Sequence, residues 1–173
     1  MQPTFSSSRI LQPVRPWFIL ASLLTALALN FLPTSSWLWM PDWVAMLIVF
    51  WSIREPQRIG MGAGFILGLA MDVADASLMG QHALAYVLAA YASSALSRRI
   101  LWFPIAQQAL HVLPILLGVQ LVQLAVRTLP GADHPGWFYF AGPFIGAALW
   151  YPLTFVLLLP QYRPIDHDDN RPI

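Results

Sequence analysis

Apolar residues fill this chain in long runs, and the breaks between them are short and rich in proline, arginine and glycine. A helix needs about 20 apolar residues to cross the hydrocarbon of a bilayer, with a range of roughly 17 to 25. The runs predict six such spans. The first extends from Trp17 to Leu32 and stops at Pro33; the second covers Trp37 to Ile53, with Pro41 and Asp42 near its start. The third covers Ile59 to Ala74, the fourth Ala83 to Leu96, and the fifth Ile100 to Leu129. The sixth runs from Trp137 to Leu159 and ends at Pro160. Some are short enough to tilt little or to thin the bilayer locally.

Within the third span small residues recur at a fixed step. Gly60, Gly64 and Gly68 are spaced four apart, and Asp72 takes the next step of the ladder. In lipid, small residues let neighbouring backbones approach closely, whereas a carboxylate must find a partner, water or a proton. The ladder therefore reads as a packing face, towards another helix of the same chain, that ends in one polar contact. Gly142 and Gly146 repeat the spacing in the sixth span, where Pro143 and Pro152 predict kinks. The fifth span is unusually polar: Gln120, Gln123 and Arg127 share one face, Gln107 and His111 another, and Pro104 and Pro114 punctuate it. Pro114 frees a carbonyl that a side chain or water must satisfy.

Composition makes the lipid setting explicit. The chain has 173 residues, 58% hydrophobic and only 10% charged, against about 25% charged in a typical soluble domain. Eight tryptophans and ten phenylalanines exceed what a soluble core of this size would hide. A formal net charge of +1 gives no global attraction to nucleic acid. With no cysteine, disulfides, thiolate metal sites and thiol nucleophiles are excluded.

Charge placement then orients the spans. All nine basic residues are arginine, and Arg9, Arg15, Arg54, Arg58, Arg98, Arg99, Arg163 and Arg171 fall on one side of a six-span arrangement. The positive-inside rule puts that side, with both termini, in the cytoplasm. Arg127, the exception, sits in the last turn of span five and can snorkel outward. The expected divisions are a cytoplasmic segment at 1–16, a transmembrane domain at 17–159 and a polar, disordered cytoplasmic tail at 160–173. Ala26-Leu27-Ala28 has the form of a signal-cleavage site, but cleavage would leave five spans and spoil the charge alternation, so the first helix is expected to remain. Trp37, Trp39, Trp43, Trp137, Phe138 and Tyr139 suit an outer headgroup belt.

Candidate chemistry is sparse. Asp72 and Asp75 could share a pocket and split their proton affinities. No glycine-x-glycine-aspartate motif precedes Asp72, however, and no later span supplies a second acid. Asp72 is instead expected to cap the end of span three or to pair with His82 across the turn. His82, His111, His134 and His167 lack short ligand spacing, so no metal or cofactor is expected. There is no glycine-x-serine-x-glycine elbow and no phosphate loop. No residue stands out as catalytic.

One stretch carries a resemblance. Pro41-Asp42-Trp43, Phe50-Trp51, Pro56, Arg58, Gly60, Gly64-Phe65, Gly68-Leu69, Asp72-Val73, then Gly80-Gln81-His82-Ala83-Leu84 and Tyr86 resemble the MreD family of bacterial rod shape-determining membrane proteins. The resemblance covers about residues 40 to 90, and length and span number agree over the whole chain. It implies a fold similar to the substrate-binding subunit of energy-coupling-factor transporters. It also implies a non-enzymatic role in the inner membrane: binding MreC, and acting with MreB, RodA and the transpeptidase companion of RodA in peptidoglycan synthesis. Asp72, Asp75, Gly80, Gln81, His82, Gln120, Gln123 and Arg127 are then the candidate polar or interaction residues. The alternative from another class is a solute-binding transporter subunit, with a pocket at the outer face lined by Asp72, His82, Gln120 and Gln123. An intramembrane hydrolase relying on Asp72 is a third.

Overall fold

The computed structural model describes residues 14–31, 40–131 and 136–161. They form six α-helices: α1 Pro16–Asn30, α2 Trp43–Arg54, α3 Met61–Ala74, α4 Gln81–Leu101, α5 Ile105–Thr128 and α6 Ala141–Leu158. No strand occurs among the described residues. A 3-10 turn at Trp137–Phe140 leads into α6, and another at Leu159–Gln161 follows it. Residues 162–173 of the expected disordered tail, the histidines at 134 and 167 and the tryptophans at 37 and 39 lie outside the described residues.

The centre of the bundle is α2. Every residue from Val44 to Ile53 is buried, as expected for a helix that is apolar all round and so has no face to offer water. The other helices surround it: α1, α3, α4, α5 and α6 all pack against it, and α3–α4, α4–α5 and α5–α6 are neighbours in turn. Rings lock the centre. Trp51 meets Phe50 and Phe18 edge-on, and Phe50 lies 5.8 Å from Trp150. The Trp51 indole N–H donates to Ser22 Oγ at 2.9 Å, which ties α2 to α1.

Among the described residues two helices are long and apolar enough to cross a membrane by themselves, α5 and the segment Trp137–Gln161. The helices α1, α2 and α3 are apolar but shorter, at 15, 12 and 14 residues. At 1.5 Å per residue they extend only about 18–22 Å. The α2 helix starts later than the run from Trp37 suggests, because Asp42 caps it by accepting from Ala45 N at 3.0 Å.

Other boundaries also differ from the sequence reading. Arg98 and Arg99 lie in the last turn of α4, where cations favour the helix C-terminus, and not in a connection before span five. That connection is Trp102–Pro104. Proline disfavours helical backbone in the residue before it, and α5 starts afresh after Pro104, with Gln108 Nε2 donating to Phe103 O at 2.9 Å. Leu159–Gln161 continue beyond α6, and Gln161, assigned from sequence to the tail, is buried.

The charges separate by end. Arg15, Arg54, Arg58, Arg98 and Arg99 lie at the start of α1, the α2–α3 turn and the end of α4, and Arg58 Nη1 donates to Val14 O at 2.7 Å across that end. Asp42, Asp72 and Asp75 lie at the other, with Arg127.

Candidate functional site

The aspartate end is built around the turn between α3 and α4. Asp72, in the last turn of α3, has a fully buried side chain. Five donors converge on its carboxylate. Oδ1 accepts from His82 N at 2.7 Å, Ser77 Oγ at 3.0 Å and His82 Nδ1 at 3.0 Å. Oδ2 accepts from Gly80 N at 2.8 Å and, more weakly, from Ala83 N at 3.4 Å. These backbone groups are the free N–H groups at the start of α4, so Asp72 caps the following helix from the preceding one, where the helix dipole favours an anion. Because the carboxylate only accepts, Nδ1 of His82 is a donor to it. Nε2 then faces Asp75 Oδ2, 3.7 Å away.

Glycine is required at position 80 for backbone reasons. Gly80 has φ of +100°, in the left-handed region that glycine enters without steric cost, and this turns its N–H towards Asp72. Ala76 in the same turn also has positive φ, at 48°. Gln81 and His82 follow as buried residues of the first turn of α4.

The glycine ladder meets α4 at two of its three rungs. A Cβ on Gly68 would come within 2.5 Å of Ala83 N and 2.8 Å of His82 C, and one on Gly64 within 2.8 Å of Tyr86 O. Backbone thus lies directly against backbone, which brings α4 close enough for Asp72 to reach its N–H groups. Gly60 differs: it is the residue before α3, and its added Cβ would meet only Pro56 O at 3.7 Å, an ordinary contact. The step of four continues past the helix start, so spacing alone extends the face one rung too far. In α6, a Cβ on Gly142 would come within 3.0 to 3.1 Å of Met40 O and Gln120 Nε2, and one on Gly146 within 3.1 to 3.2 Å of the Leu116 and Met46 side chains.

A second carboxylate cluster adjoins the first. Asp42 Oδ1 accepts from Asn30 Nδ2 at 3.0 Å as well as from Ala45 N, and Oδ2 accepts from the Tyr86 hydroxyl at 2.7 Å. Asn30 Oδ1 in turn accepts from Trp43 N at 3.1 Å. One aspartate therefore joins the end of α1, the start of α2 and the face of α4. Asn30 and Tyr86 were not among the sequence candidates; an asparagine ending an otherwise apolar helix was the available signal.

The remaining candidates divide. Gln120 and Gln123 are buried on the inner face of α5, and the Tyr139 hydroxyl donates to Gln123 Oε1 at 3.2 Å. Gln120 Oε1 and Gln123 Nε2 have no partner. Arg127 is exposed and does not join the Asp72 cluster. Asp75 stands just beyond α3 with its side chain 47% exposed. Partial burial, with smaller contributions from the Asp42 and Asp72 charges, pushes its carboxyl above the usual value, although His82 opposes this. No group of three or more histidine, aspartate or glutamate side chains suited to a metal occurs among the described residues.

Residues 9–159 match the protein family described as rod shape-determining protein MreD. The chain belongs to the MreD family. The rod shape-determining protein MreD of Haemophilus influenzae is 30% identical over 156 residues, covering 86% of this chain and 93% of that protein. No solved structure matches. Within this MreD-family chain the matched region contains both carboxylate clusters and the glycine seam. The geometry suits holding helices in fixed register; Ser77 Oγ lies 3.3 Å from His82 Nδ1, but both groups are turned to Asp72 Oδ1, each at 3.0 Å.

Proposed function

We propose that this protein is a non-enzymatic membrane scaffold of the bacterial rod complex. It binds MreC and couples the MreB filament to peptidoglycan synthesis by RodA and its transpeptidase companion. Membership of the MreD family carries the proposal. The rigid aspartate end supports it: two carboxylates fix five chain segments there, giving a partner a preformed surface that needs little ordering on binding.

In this reading all six helices lie in the inner membrane, the short ones as parts of a bundle that collectively fills the bilayer. Five described arginines at one end support a cytoplasmic location for that end and for both termini. The aspartate end then faces the periplasm. On the same reading, as the sequence resemblance implies, the fold is that of an energy-coupling-factor substrate-binding subunit with its role changed from solute capture to assembly.

The test is co-purification. The full chain, extracted in mild detergent from cells that also make tagged MreC, should be retained with MreC at near-equal amounts. A chain that stays folded yet does not retain MreC would sink the scaffold reading.

A further inference from the structure

The arginines at the end opposite the aspartates are not alike. Arg58 is taken up by Val14 O at 2.7 Å and Glu55 at 3.6 Å, and Arg54 lies over the Phe50 ring, 5.2 Å from its centroid. Arg98 and Arg99 stand exposed side by side in the last turn of α4, and among the described residues neither has an acidic partner. Glu55 is the only acid described at this end. The carbonyls closing α4 repel an anion, so an anion here is held by side chains that reach past them.

An independent observation lies on the same helix. Leu84, Leu88, Tyr91 and Ala95 are exposed at steps of four, three and four, which makes them one outward stripe of α4. The stripe continues through Arg98 to Trp102, which is 88% exposed and follows the pair by one turn. At 1.5 Å per residue, Leu84 to Arg98 measures about 21 Å, against about 30 Å for the hydrocarbon of a bilayer. The face thus passes from apolar side chains to two guanidiniums and an indole, the order in which a leaflet passes from acyl chains to headgroups. A free phosphate or an acidic peptide would use the cations and leave the stripe uncovered; a phospholipid covers both. The planar guanidinium fork matches two oxygens of a phosphodiester. With no acid beside the pair, nothing there favours the ammonium of a zwitterionic headgroup. The segment 162–173 offers Asp166, Asp168 and Asp169, but also Arg163 and Arg171 and no apolar run to cover the stripe.

We propose that Arg98, Arg99 and Trp102 form a site for one anionic phospholipid, with its phosphodiester at the guanidinium pair and an acyl chain along the α4 stripe. The cytoplasmic leaflet as its source rests on the membrane orientation read above; the chemistry of the site is the same in either leaflet.

Native mass spectrometry of the full chain tests the chemistry, with phosphatidylglycerol and phosphatidylcholine of the same acyl chains in competition. The parent should bind phosphatidylglycerol at least about fivefold more tightly, as suits two interfacial cations. Arg98→Gln with Arg99→Gln should bring the two lipids within about twofold of each other. Arg15→Gln removes an exposed cation elsewhere at the same end and should leave the preference in place. Arg98→Lys with Arg99→Lys keeps the charges and should keep a preference of at least about threefold. No preference in the parent, one that survives the glutamine pair, or one abolished by Arg15→Gln or by the lysine pair would each overturn the proposal. Soluble glycerophosphoglycerol, the headgroup without chains, should fail to displace the lipid; displacement would make this an anion site indifferent to acyl chains. Asp166→Asn, Asp168→Asn and Asp169→Asn together should leave the preference unchanged, and a several-fold gain would make the chain's own tail the occupant. Because the chain has no cysteine, Gln57→Cys at the same end reports orientation by maleimide labelling of whole cells. Labelling by a membrane-impermeant reagent would defeat the orientation and leave a measured phosphatidylglycerol preference standing. Protection until the cells are opened, without that preference, would defeat the lipid site alone.

Discussion

Replacing Asp72 with asparagine probes the turn most directly, because it keeps shape and removes charge. Asparagine has one acceptor oxygen, so its NH2 must face one of the two donor sets. Placed at the Oδ2 position it opposes the N–H groups of Gly80 and Ala83; placed at Oδ1 it opposes His82 N, His82 Nδ1 and Ser77. The first choice is cheaper, yet it breaks the 2.8 Å bond to Gly80 and turns charge-assisted bonds to His82 and Ser77 into neutral ones. Hydrogen bonds to charged groups contribute about 1.5–3 kcal/mol each, and breaking a buried ionic contact costs about 3–5 kcal/mol. We therefore expect a loss of about 3–5 kcal/mol. In a chain of this size each kcal/mol moves the midpoint by about 2–4 °C, so the drop should be on the order of 10 °C. The assay is thermal challenge of the detergent-solubilised full chain, followed by the fraction that remains monodisperse on size exclusion. Asp75→Asn, at a half-exposed position, should move the midpoint by no more than about 2 °C, as surface changes usually do. If Asp72→Asn melts with the parent, the carboxylate does not hold the turn and the reasoning fails.

Gly68→Ala should destabilise strongly, by about 3 kcal/mol or more, since the new methyl meets rigid backbone of α4, whereas Gly62→Ala meets open space and should be neutral or slightly stabilising; thermal challenge of both separates close packing from generic helix propensity. Tyr86→Phe removes the donor to Asp42 Oδ2 and should cost about 1.5–3 kcal/mol; a melting point equal to the parent's would deny the Asp42 cluster any part in joining α1, α2 and α4. Asp75 gives a pH signature: its carboxyl is raised above the usual 3.8, so its contribution to stability is fully present below that value and is lost as pH rises through the raised one. The parent should therefore lose, relative to Asp75→Asn, a little stability over that window, and parallel melting curves against pH would refute the assignment.

The helical character of the bundle and the tight step at Gly64 and Gly68 could be read from local pattern, because apolar runs and four-residue spacing are properties of neighbouring positions. Which backbone those glycines meet could not, since Ala83 and Tyr86 lie across a turn whose geometry depends on Gly80. The Asp72–His82 pairing was one of two options open from sequence; the donors at Gly80 and Ala83 became visible only once α4 was placed. The Asp42 cluster was missed altogether. Asn30 and Tyr86 lie 12 and 44 residues from Asp42, and no periodicity connects them. The apolar run of span four ends at Leu96, which puts Arg98 and Arg99 in a connection, whereas at the C-terminus of α4 their charge supports one more turn.

The enclosure of α2 also bears on how the chain is made. This helix leaves the ribosome second, but much of its wall is contributed by α4, α5 and α6, which emerge later. With 12 residues it is too short to be a self-sufficient span. Its final seat therefore exists only after the C-terminal helices have arrived, and the earliest-made half of the protein must wait, held by the insertion machinery or by lipid, for the last-made half to close around it.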